Sequence, residues 1–216
     1  MVYVVDHSAF DDFTPALDEM FHHRRSMFVE RLGWPLRVDE RGHERDEFDT
    51  RNALYFLDLD RDTGALLGSL RLLRTDAPHL LSVHFPHLCE AAAPAGEDVF
   101  EVSRFVTAQG LERERTMRVR HRLASALMEY GVDLDLSAYT LVTHLSWLPT
   151  LLCVGWTCRP LGLPHALGRE SIGALTIEVS QQGLAELRRF GGRYPVIRNH
   201  HTEPPSLAEE GATYAV

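Results

Sequence analysis

The stretch of the chain that decides the fold is residues 53–73, which read ALYFLDLDRDTGALLGSLRLL. Two apolar runs, Ala53–Asp58 and Leu66–Leu73, flank the turn-forming residues 60–64. Short runs rich in apolar and aromatic residues, bounded by Asp, Thr and Gly, are typical of strands joined as a hairpin. This stretch therefore predicts two adjacent strands of a sheet.

Further strands and helices are predicted on both sides of this hairpin. The predicted strands are Val2–Val5, Val99–Val106, Tyr139–His144 and Ser171–Val179. A first helix is predicted to begin with Thr14 as its N-cap and Pro15 as its first residue, and to end at Gly33. The other predicted helices are Arg115–Tyr130 before Gly131, Ser146–Val154 before Gly155, and Gln181–Arg189 before Gly191 and Gly192.

This mixed order of strands and helices predicts an α/β fold: one domain, built as a three-layer sandwich with a mixed, twisted central sheet flanked by helices. We assign residues 1–198 to the domain and residues 199–216 to a flexible tail, because the tail is rich in Pro and Glu.

Composition excludes several functional classes. The 216 residues contain 22 basic residues, all arginine, so chemistry based on a lysine amine is excluded. A net charge of −9 argues against nucleic acid as a partner. There is no apolar run of the ~18 residues that a membrane span needs, and the N-terminus lacks the basic start of a signal peptide. Three cysteines without zinc-site spacing fit a reducing cytoplasm, and the histidines, including His22-His23, form no recognised metal frame.

The first candidate group is Arg24, Phe28 and Trp34. Arg24 and Phe28 are four residues apart on a predicted helix, so they share one face, and Trp34 follows the helix end. A cation and two aromatic rings suit a ligand that carries both a carboxylate and a positive centre. The alternative is an aromatic pair in the core beside a surface arginine.

The second candidate group is Asp46 and Asp49, in a polar stretch predicted to be a long loop, Asp39–Arg51. Two carboxylates on either side of Phe48 could face a cationic substrate. The alternative is a solvated loop with a turn-capping aspartate.

The third candidate group is Glu101, Ser103 and Arg104 on a predicted central strand. Glu101 and Ser103 share one face by the two-residue period of a strand, and Arg104 points to the other face unless a bulge re-aims it. Arg71, in the middle of another strand, is expected to need a buried carboxylate partner. For both arginines the alternative is a purely structural ion pair.

Taken together, these motifs resemble the acyl-homoserine-lactone synthases, the LuxI-type enzymes that make quorum-sensing signals. Each motif is weak alone, but their order and spacing along residues 20–110 are specific to that family. The motifs are Arg24-x-x-x-Phe28, Arg31-Leu32-Gly33-Trp34, Asp46-Glu47-Phe48-Asp49, Arg71-Leu72-Leu73 and Glu101-x-Ser103-Arg104-Phe105.

The resemblance implies a fold similar to the GNAT acetyltransferases, with splayed central strands that admit a pantetheine arm. It implies two substrates, S-adenosylmethionine and an acyl thioester on acyl carrier protein or coenzyme A, and no cofactor or metal. The implied catalytic residues are Glu101, Arg104, Asp49 and Arg71. The implied S-adenosylmethionine contacts are Arg24, Phe28, Trp34, Asp46, Asp49 and Phe105. The implied acyl-chain or pantetheine contacts are Ser103, Thr140, Thr143 and Trp147.

Two of these roles carry a chemical expectation. The α-amine of S-adenosylmethionine is largely protonated at neutral pH, so a base is needed, and Glu101 is the candidate if burial raises its pKa or a water relays the proton. In the family, a threonine at the position of Thr140 is associated with 3-oxo acyl chains. Ordinary β-propensity is the alternative reason for that threonine.

The acyl donor is acidic or phosphorylated, so an acidic chain needs a local basic surface to recruit it. Residues 111–123 read LERERTMRVRHRL, and Arg115, Arg118 and Arg122 share one helical face. We predict that this face docks the carrier, the alternative being arginines paired with nearby carboxylates. Two other functions stay open from the sequence: an acetyl-CoA-dependent N-acetyltransferase, although residues 106–115 lack its pyrophosphate loop, and a non-catalytic binding protein.

Overall fold

The computed structural model describes residues 1–152, 155–168, 170–191 and 196–198. Within them, one mixed sheet has the strand order β6-β8-β5-β4-β3-β2-β1-β9, with β7 paired to β8. Only the pairs β4–β5 and β1–β9 are parallel. The strands are β1 (Val2–Val5), β2 (Leu54–Leu59), β3 (Leu66–Arg74), β4 (Val99–Thr107), β5 (Ala138–His144), β6 (Cys158–Pro160), β7 (His165–Leu167), β8 (Glu170–Glu178) and β9 (Val196–Arg198).

Helices cover both faces of this sheet, which confirms the predicted sandwich. The helices are α1 (Thr14–Arg24), α2 (Leu80–His84), α3 (Arg113–Asp133), α4 (Leu148–Leu152) and α5 (Gln181–Gly191). Side chains of β2 alternate between the layers: Leu54 and Phe56 pack with α3, whereas Tyr55 and Leu57 pack with α1. The predicted tail, residues 199–216, lies outside the described residues. No helix of the described part is long and apolar enough to cross a bilayer.

The predicted first helix is correct in position but differs at both ends. Phe13 is the N-cap, and Thr14 is already helical, its hydroxyl donating to the carbonyl of Phe10 at 3.1 Å. The α-helix gives way at Arg25–Arg31 to π-helical turns. Gly33, with a φ of +67°, then ends the helix as predicted.

Two glycines, Gly131 in α3 and Gly68 in β3, allow close packing at helix α3. The prediction that Gly131 ends the helix is wrong, because α3 continues to Asp133. A Cβ at Gly131 would lie 2.6 Å from the Tyr139 hydroxyl, so this glycine admits the tyrosine against the helix. A Cβ at Gly68 would lie 2.7 Å from Val119, so Gly68 brings α3 close to β3.

The centre of the sheet opens between β4 and β5. The two strands pair only from Val99 with Ala138 to Val102 with Leu141. Beyond that point β4 continues to Thr107 and β5 to His144 without pairing to each other. The splayed central strands that the family resemblance implies are therefore present, and they form a gap in the middle of the sheet.

Candidate active site

A bulge in β4 determines where Arg104 points. In the β3–β4 ladder, Ser69 pairs with Val106 and Arg71 with Ser103, so β4 carries one extra residue in this interval. Arg104 has a φ of +53°, a conformation that non-glycine residues rarely adopt. The sequence left a bulge at this position as an open possibility. The bulge is present, and it brings Arg104 to Asp46, a carboxylate that Arg71 also binds.

A buried network of three arginines and three carboxylates lies beneath this bulge. Arg24 donates to both oxygens of Asp49, at 2.7 and 2.8 Å, and its Nε donates to Glu44 at 2.6 Å. The Arg24 side chain is 1% exposed, and those of Glu44 and Asp49 are 0% exposed. The alternative of a surface arginine at position 24 is therefore wrong.

The other two arginines complete the network from the sheet side. Arg71 binds both Asp46 and Asp49, and its Nε donates to the Ser103 hydroxyl at 3.0 Å. Arg104 donates to Glu44 at 2.9 Å and to Asp46 at 2.7 Å. Arg71 thus has the buried carboxylate partner that the sequence predicts. Three positive and three negative charges balance, which is the condition for burying ions.

The pKa values of Arg24 and Asp49, which form a buried ion pair, follow from this arrangement. Burial alone would raise the pKa of Asp49, but the guanidinium groups of Arg24 and Arg71 hold it far below its ordinary value. For Arg24, burial alone would lower the pKa. The carboxylates of Asp49 and Glu44 outweigh burial, so the pKa of Arg24 is raised above its ordinary value. The Tyr55 hydroxyl donates to Asp49 at 2.8 Å, and burial raises the pKa of Tyr55. Both ion-pair members therefore stay charged at neutral pH.

Aromatic rings form a stack beside the network. Phe28 and Trp34 stack with their centroids 5.1 Å apart, and Trp34 stacks on His144 at 5.2 Å. The Arg104 guanidinium lies 5.5 Å from the centre of the Phe28 ring. His144 is also paired with Glu170. The stack joins the π-helical turns that follow α1 to His144 at the end of β5.

The network and the stack border a cavity of about 1540 Å³. A typical site for one small ligand measures roughly 300–1,000 Å³, so this cavity is large enough for two substrates. Its wall is charged at Glu44, Asp46 and Arg104. The wall inside the gap between β4 and β5 is apolar, with Leu127, Leu141, Val142, Leu151, Trp156, Ile172 and Ile177.

The predicted site residues divide into a lining group and a supporting group. Those that line the cavity are Phe28, Trp34, Asp46, Ser103, Arg104, Phe105, Thr143 and Trp147. Those that lie outside its lining are Arg24, Asp49, Arg71, Glu101 and Thr140. Arg24, Asp49 and Arg71 hold Asp46 and Arg104 in place, so their geometry is that of positioning residues.

Glu101 occupies an unusual position under α2, a helix that the sequence analysis missed. Its carboxylate is fully buried and accepts the backbone N–H groups of Leu80 at 2.7 Å and Leu81 at 2.8 Å. Burial raises the pKa of Glu101 to about 7, although these two donors lower it. A carboxylate with this pKa exchanges protons readily at neutral pH.

The two threonines of β5 differ in their surroundings. Thr143 lines the cavity, whereas Thr140 is fully buried and pairs in the ladder with Glu101. The Thr140 hydroxyl has no hydrogen-bond partner among the described residues. Its role toward a 3-oxo group stays a prediction.

The arginine face of α3 is largely neutralised. Arg115 pairs with Asp60, Arg118 with Glu114, and Arg122 with the buried Asp58. These are the carboxylate pairs that the sequence analysis gave as its alternative to carrier docking, so docking by these three residues stays a prediction.

A second group of basic residues, Arg31 and Arg120, lies at the cavity itself. Arg31 and Arg120 both line it and, among the described residues, neither has an ion-pair partner. Burial and the neighbouring Arg31 lower the pKa of Arg120, whose guanidinium lies 4.7 Å from the Trp147 ring centre. Arg120 Nε is buried and has no hydrogen-bond partner within the part of the chain that is described.

Sequence reasoning missed four residues of this site: Glu44, Tyr55, Arg120 and His144. Glu44 lies two residues before Asp46 in the polar loop, and its need to neutralise both Arg24 and Arg104 appears only in three dimensions. His144 is the last residue of a correctly predicted strand, but its stacking on Trp34 depends on the gap in the sheet. The surplus of arginines over adjacent acids in residues 113–122 was the available signal for Arg120.

Comparison with known proteins gives one consistent result. Residues 11–187 match the family model described as autoinducer synthase. An acyl-homoserine-lactone synthase of Ralstonia nicotianae is 31% identical over 172 residues, which are 77% of this chain and 83% of that protein. An isovaleryl-homoserine lactone synthase of Bradyrhizobium diazoefficiens is 26% identical over 187 residues, covering 86% of this chain and 83% of that protein.

Solved structures agree. BjaI, a CoA-dependent acyl-homoserine lactone synthase solved with SAM and isopentyl-CoA, superposes with a TM-score of 0.83 at 27% identity, covering 92% of this chain and 93% of BjaI. A putative N-acetyltransferase from Lactobacillus plantarum has a TM-score of 0.53 at 14% identity and covers 83% of this chain and 99% of its own, a likeness of fold alone. The acetyltransferase-like fold is thereby confirmed, and the chain belongs to the autoinducer synthase family, the acyl-homoserine-lactone synthases.

Proposed function

We propose that this chain makes an N-acyl-homoserine lactone from S-adenosylmethionine and an acyl-CoA. The observation that carries the proposal is that one cavity has two walls of different chemistry. The charged and aromatic wall suits S-adenosylmethionine, which is positive at sulfur and negative at its carboxylate. The apolar gap between β4 and β5 suits an acyl chain.

The proposed reaction has two steps. In the first, the α-amine of S-adenosylmethionine loses a proton and attacks the thioester carbonyl, and the C–S bond breaks to release the thiol of coenzyme A. In the second, the substrate carboxylate attacks its own γ-carbon, and the sulfonium leaves as methylthioadenosine. Ring closure is intramolecular and its leaving group is neutral, so the proposed reaction uses no cofactor and no catalytic metal.

Two features of β4 are assigned to the first step. Glu101 accepts the proton, through a water, because its carboxylate lies behind the cavity wall beside Leu80. At the bulge, Arg104 and Phe105 have no partner residue in the β3–β4 ladder, and β4 is no longer paired with β5 there. Backbone N–H groups at this point are placed to stabilise the oxyanion of the tetrahedral intermediate.

Trp34→Ala is expected to weaken S-adenosylmethionine binding by about tenfold or more, because the ring forms the centre of the aromatic stack. Isothermal titration of the wild type and the variant with S-adenosylmethionine measures the effect. The matched control is Trp156→Phe, on the apolar side of the cavity, which should leave this affinity unchanged. Equal affinities of wild type and Trp34→Ala would contradict the pocket assignment.

Arg31 and Arg120 lead us to propose coenzyme A as the donor, since two unneutralised guanidinium groups at a cavity suit its phosphates. The donor named for the similar BjaI structure supports the same proposal. Arg120→Glu is expected to raise the KM for acyl-CoA about tenfold, or about 1.4 kcal/mol, and to leave the KM for S-adenosylmethionine unchanged.

Arg118→Glu is the matched comparison on the same helix, because Arg118 is exposed and already paired with Glu114. We expect it to change the KM for acyl-CoA less than twofold. The opposite order of effects would favour docking on the face formed by Arg115, Arg118 and Arg122 over the Arg31–Arg120 pair.

The function itself is tested by incubating the purified chain with S-adenosylmethionine and a series of acyl-CoA and acyl-carrier-protein thioesters. Release of methylthioadenosine together with an acyl-homoserine lactone, seen by mass spectrometry, is the expected result. An acylated product without methylthioadenosine would indicate a plain N-acyltransferase, and binding without any product would indicate a non-catalytic protein. We place the reaction in the cytoplasm, where both substrates are made and where Cys89 and Cys158 stay free thiols.

A further inference from the structure

Two histidines and an aspartate form a cluster on α1, apart from the residues that line the cavity. Asp18 and His22 lie one helical turn apart, and His43 reaches them from the loop that follows the π-helical turns. The His43 side chain is 4% exposed, whereas those of His22 and Asp18 are 45% and 36% exposed. One side of the cluster is therefore buried and the other is open to solvent.

The three side chains lie close enough together to bind one metal ion. His43 Nε2 lies 3.0 Å from Asp18 Oδ1, and His22 Nε2 lies 3.6 Å from Asp18 Oδ2. A tetrahedral zinc ion with bonds of about 2.0–2.1 Å holds neighbouring ligand atoms about 3.3 Å apart. The ligand atoms of all three residues lie within 4.8 Å of one another.

An unsatisfied nitrogen points independently to a ligand. His43 Nε2 is buried, the Asp18 oxygen 3.0 Å away does not meet it in hydrogen-bond geometry, and no other described residue supplies a partner. Buried side-chain nitrogens nearly always have such a partner. On the other side of the ring, His43 Nδ1 lies 3.7 Å from the carboxylate of Asp39. A carboxylate behind a histidine is the usual arrangement that orients a metal-bound imidazole.

One neighbouring cation affects the site. Arg41 donates to Asp18 Oδ1 at 2.7 Å, the oxygen that also lies 3.0 Å from His43 Nε2, and Oδ2 faces His22. Asp18 therefore offers Oδ2 to a metal ion, and the hydrogen bond from Arg41 to Oδ1 orients the carboxylate.

We propose that Asp18, His22 and His43 bind a divalent zinc ion, with water in the remaining position. The ion would tie the loop to α1 directly beside Glu44, which holds Arg24 and Arg104. The proposal concerns loop anchoring and not the reaction. It revises the expectation of no metal site, which rested on neighbouring pairs such as His22-His23, whereas the structure joins His22 to a histidine 21 residues away.

The test uses the full chain, freed of metal with a chelator and then titrated with Zn²⁺ alone by calorimetry. Co²⁺ replaces Zn²⁺ in a second titration, because its visible absorption reports ligand geometry. We expect one tight site, a higher Tm with Zn²⁺, and at least a tenfold loss of affinity in His22→Gln. His22 is half-exposed, so this variant should fold. His43→Gln should lose the same affinity, and His7→Gln, an exposed histidine elsewhere, is the matched control.

Equal Zn²⁺ affinity of the wild type and His22→Gln would overturn the proposal. So would a loss of affinity in the double variant His200→Gln, His201→Gln with none in His22→Gln, since the ion would then be held by that adjacent pair. Octahedral Co²⁺ spectra that are unchanged in His22→Gln would likewise place the metal on other ligands.

Discussion

Glu101→Gln is expected to lower kcat by about 10²–10⁴-fold while S-adenosylmethionine binding is largely retained. The amide has nearly the same volume, but it cannot accept the proton of the attacking amine. Because burial raises the pKa of Glu101 to about 7, kcat/KM of the wild type should rise through about pH 7 as the carboxylate ionises. The variant should lack this rise, which steady-state kinetics across the pH range will measure.

The same residue has a structural role that must be separated from the catalytic one. Glu101 anchors Leu80 and Leu81 at the start of α2, and an amide has only one oxygen to accept both N–H groups. Thermal unfolding of the variant therefore accompanies the kinetics, with the exposed neighbour Glu97→Gln as the matched control. A lower Tm with an unchanged pH profile would make Glu101 a positioning residue of α2, and near-normal turnover would assign the base elsewhere.

The pH dependence of stability has a definite sign for this group. A carboxyl group whose pKa is raised in the folded state binds its proton more tightly there than in the unfolded chain. Its contribution to the free energy of unfolding is therefore fully present below the unfolded value and is lost as the pH rises through about 7. Wild-type stability should fall over this window by more than that of Glu101→Gln.

The sequence was sufficient to predict those strands and helices whose pattern lies within a few neighbouring residues. The hairpin of residues 53–73 is present as β2 and β3, because the apolar runs and the turn residues act over a few positions. Gly131 was misread, because a helical glycine that admits a neighbouring side chain has the same local pattern as one that ends a helix. Helix α2 was missed because it has only five residues, and its start is held by Glu101, 20 residues away in the chain.

The site shows the same division between local and distant information. The spacing of Arg24 and Phe28 predicted that they lie on neighbouring turns of a helix, and Asp46 and Asp49 were candidates from the same kind of pattern. Only the family resemblance linked these residues to Arg71 and Arg104. The direction of Arg104 depends on a one-residue bulge, and sequence periodicity alone places it on the wrong face. The role of Glu44 depends on neutralising two arginines that approach it from α1 and β4, so no pattern within its own loop could reveal it.

Asp49→Asn is expected to cause the largest loss of stability in the chain, about 3–5 kcal/mol, because it leaves buried guanidinium groups without a compensating charge. Asp49 binds both terminal nitrogens of Arg24 and one of Arg71, and it also accepts the Tyr55 hydroxyl and the Asp46 N–H. Arg24 and Arg71 would then compete for Glu44 and Asp46 and withdraw them from the cavity wall. Turnover should therefore fall together with stability.

Urea unfolding of the wild type and Asp49→Asn measures this loss of stability. Glu114→Gln is the matched control, because the exposed Glu114–Arg118 pair is expected to contribute less than about 1 kcal/mol. The difference in free energy of unfolding between the wild type and Asp49→Asn should increase with pH, whereas the stabilising contribution of Glu101 decreases with pH. Since the arginines depress the pKa of Asp49, its contribution is present above the ordinary carboxyl value of about 4 and is lost as the pH falls through the lower folded value. The wild type should therefore lose its advantage over Asp49→Asn in strong acid. If the variant were as stable as Glu114→Gln at neutral pH, the three arginines and three carboxylates would not act as one buried network, and the cavity wall would not depend on Asp49.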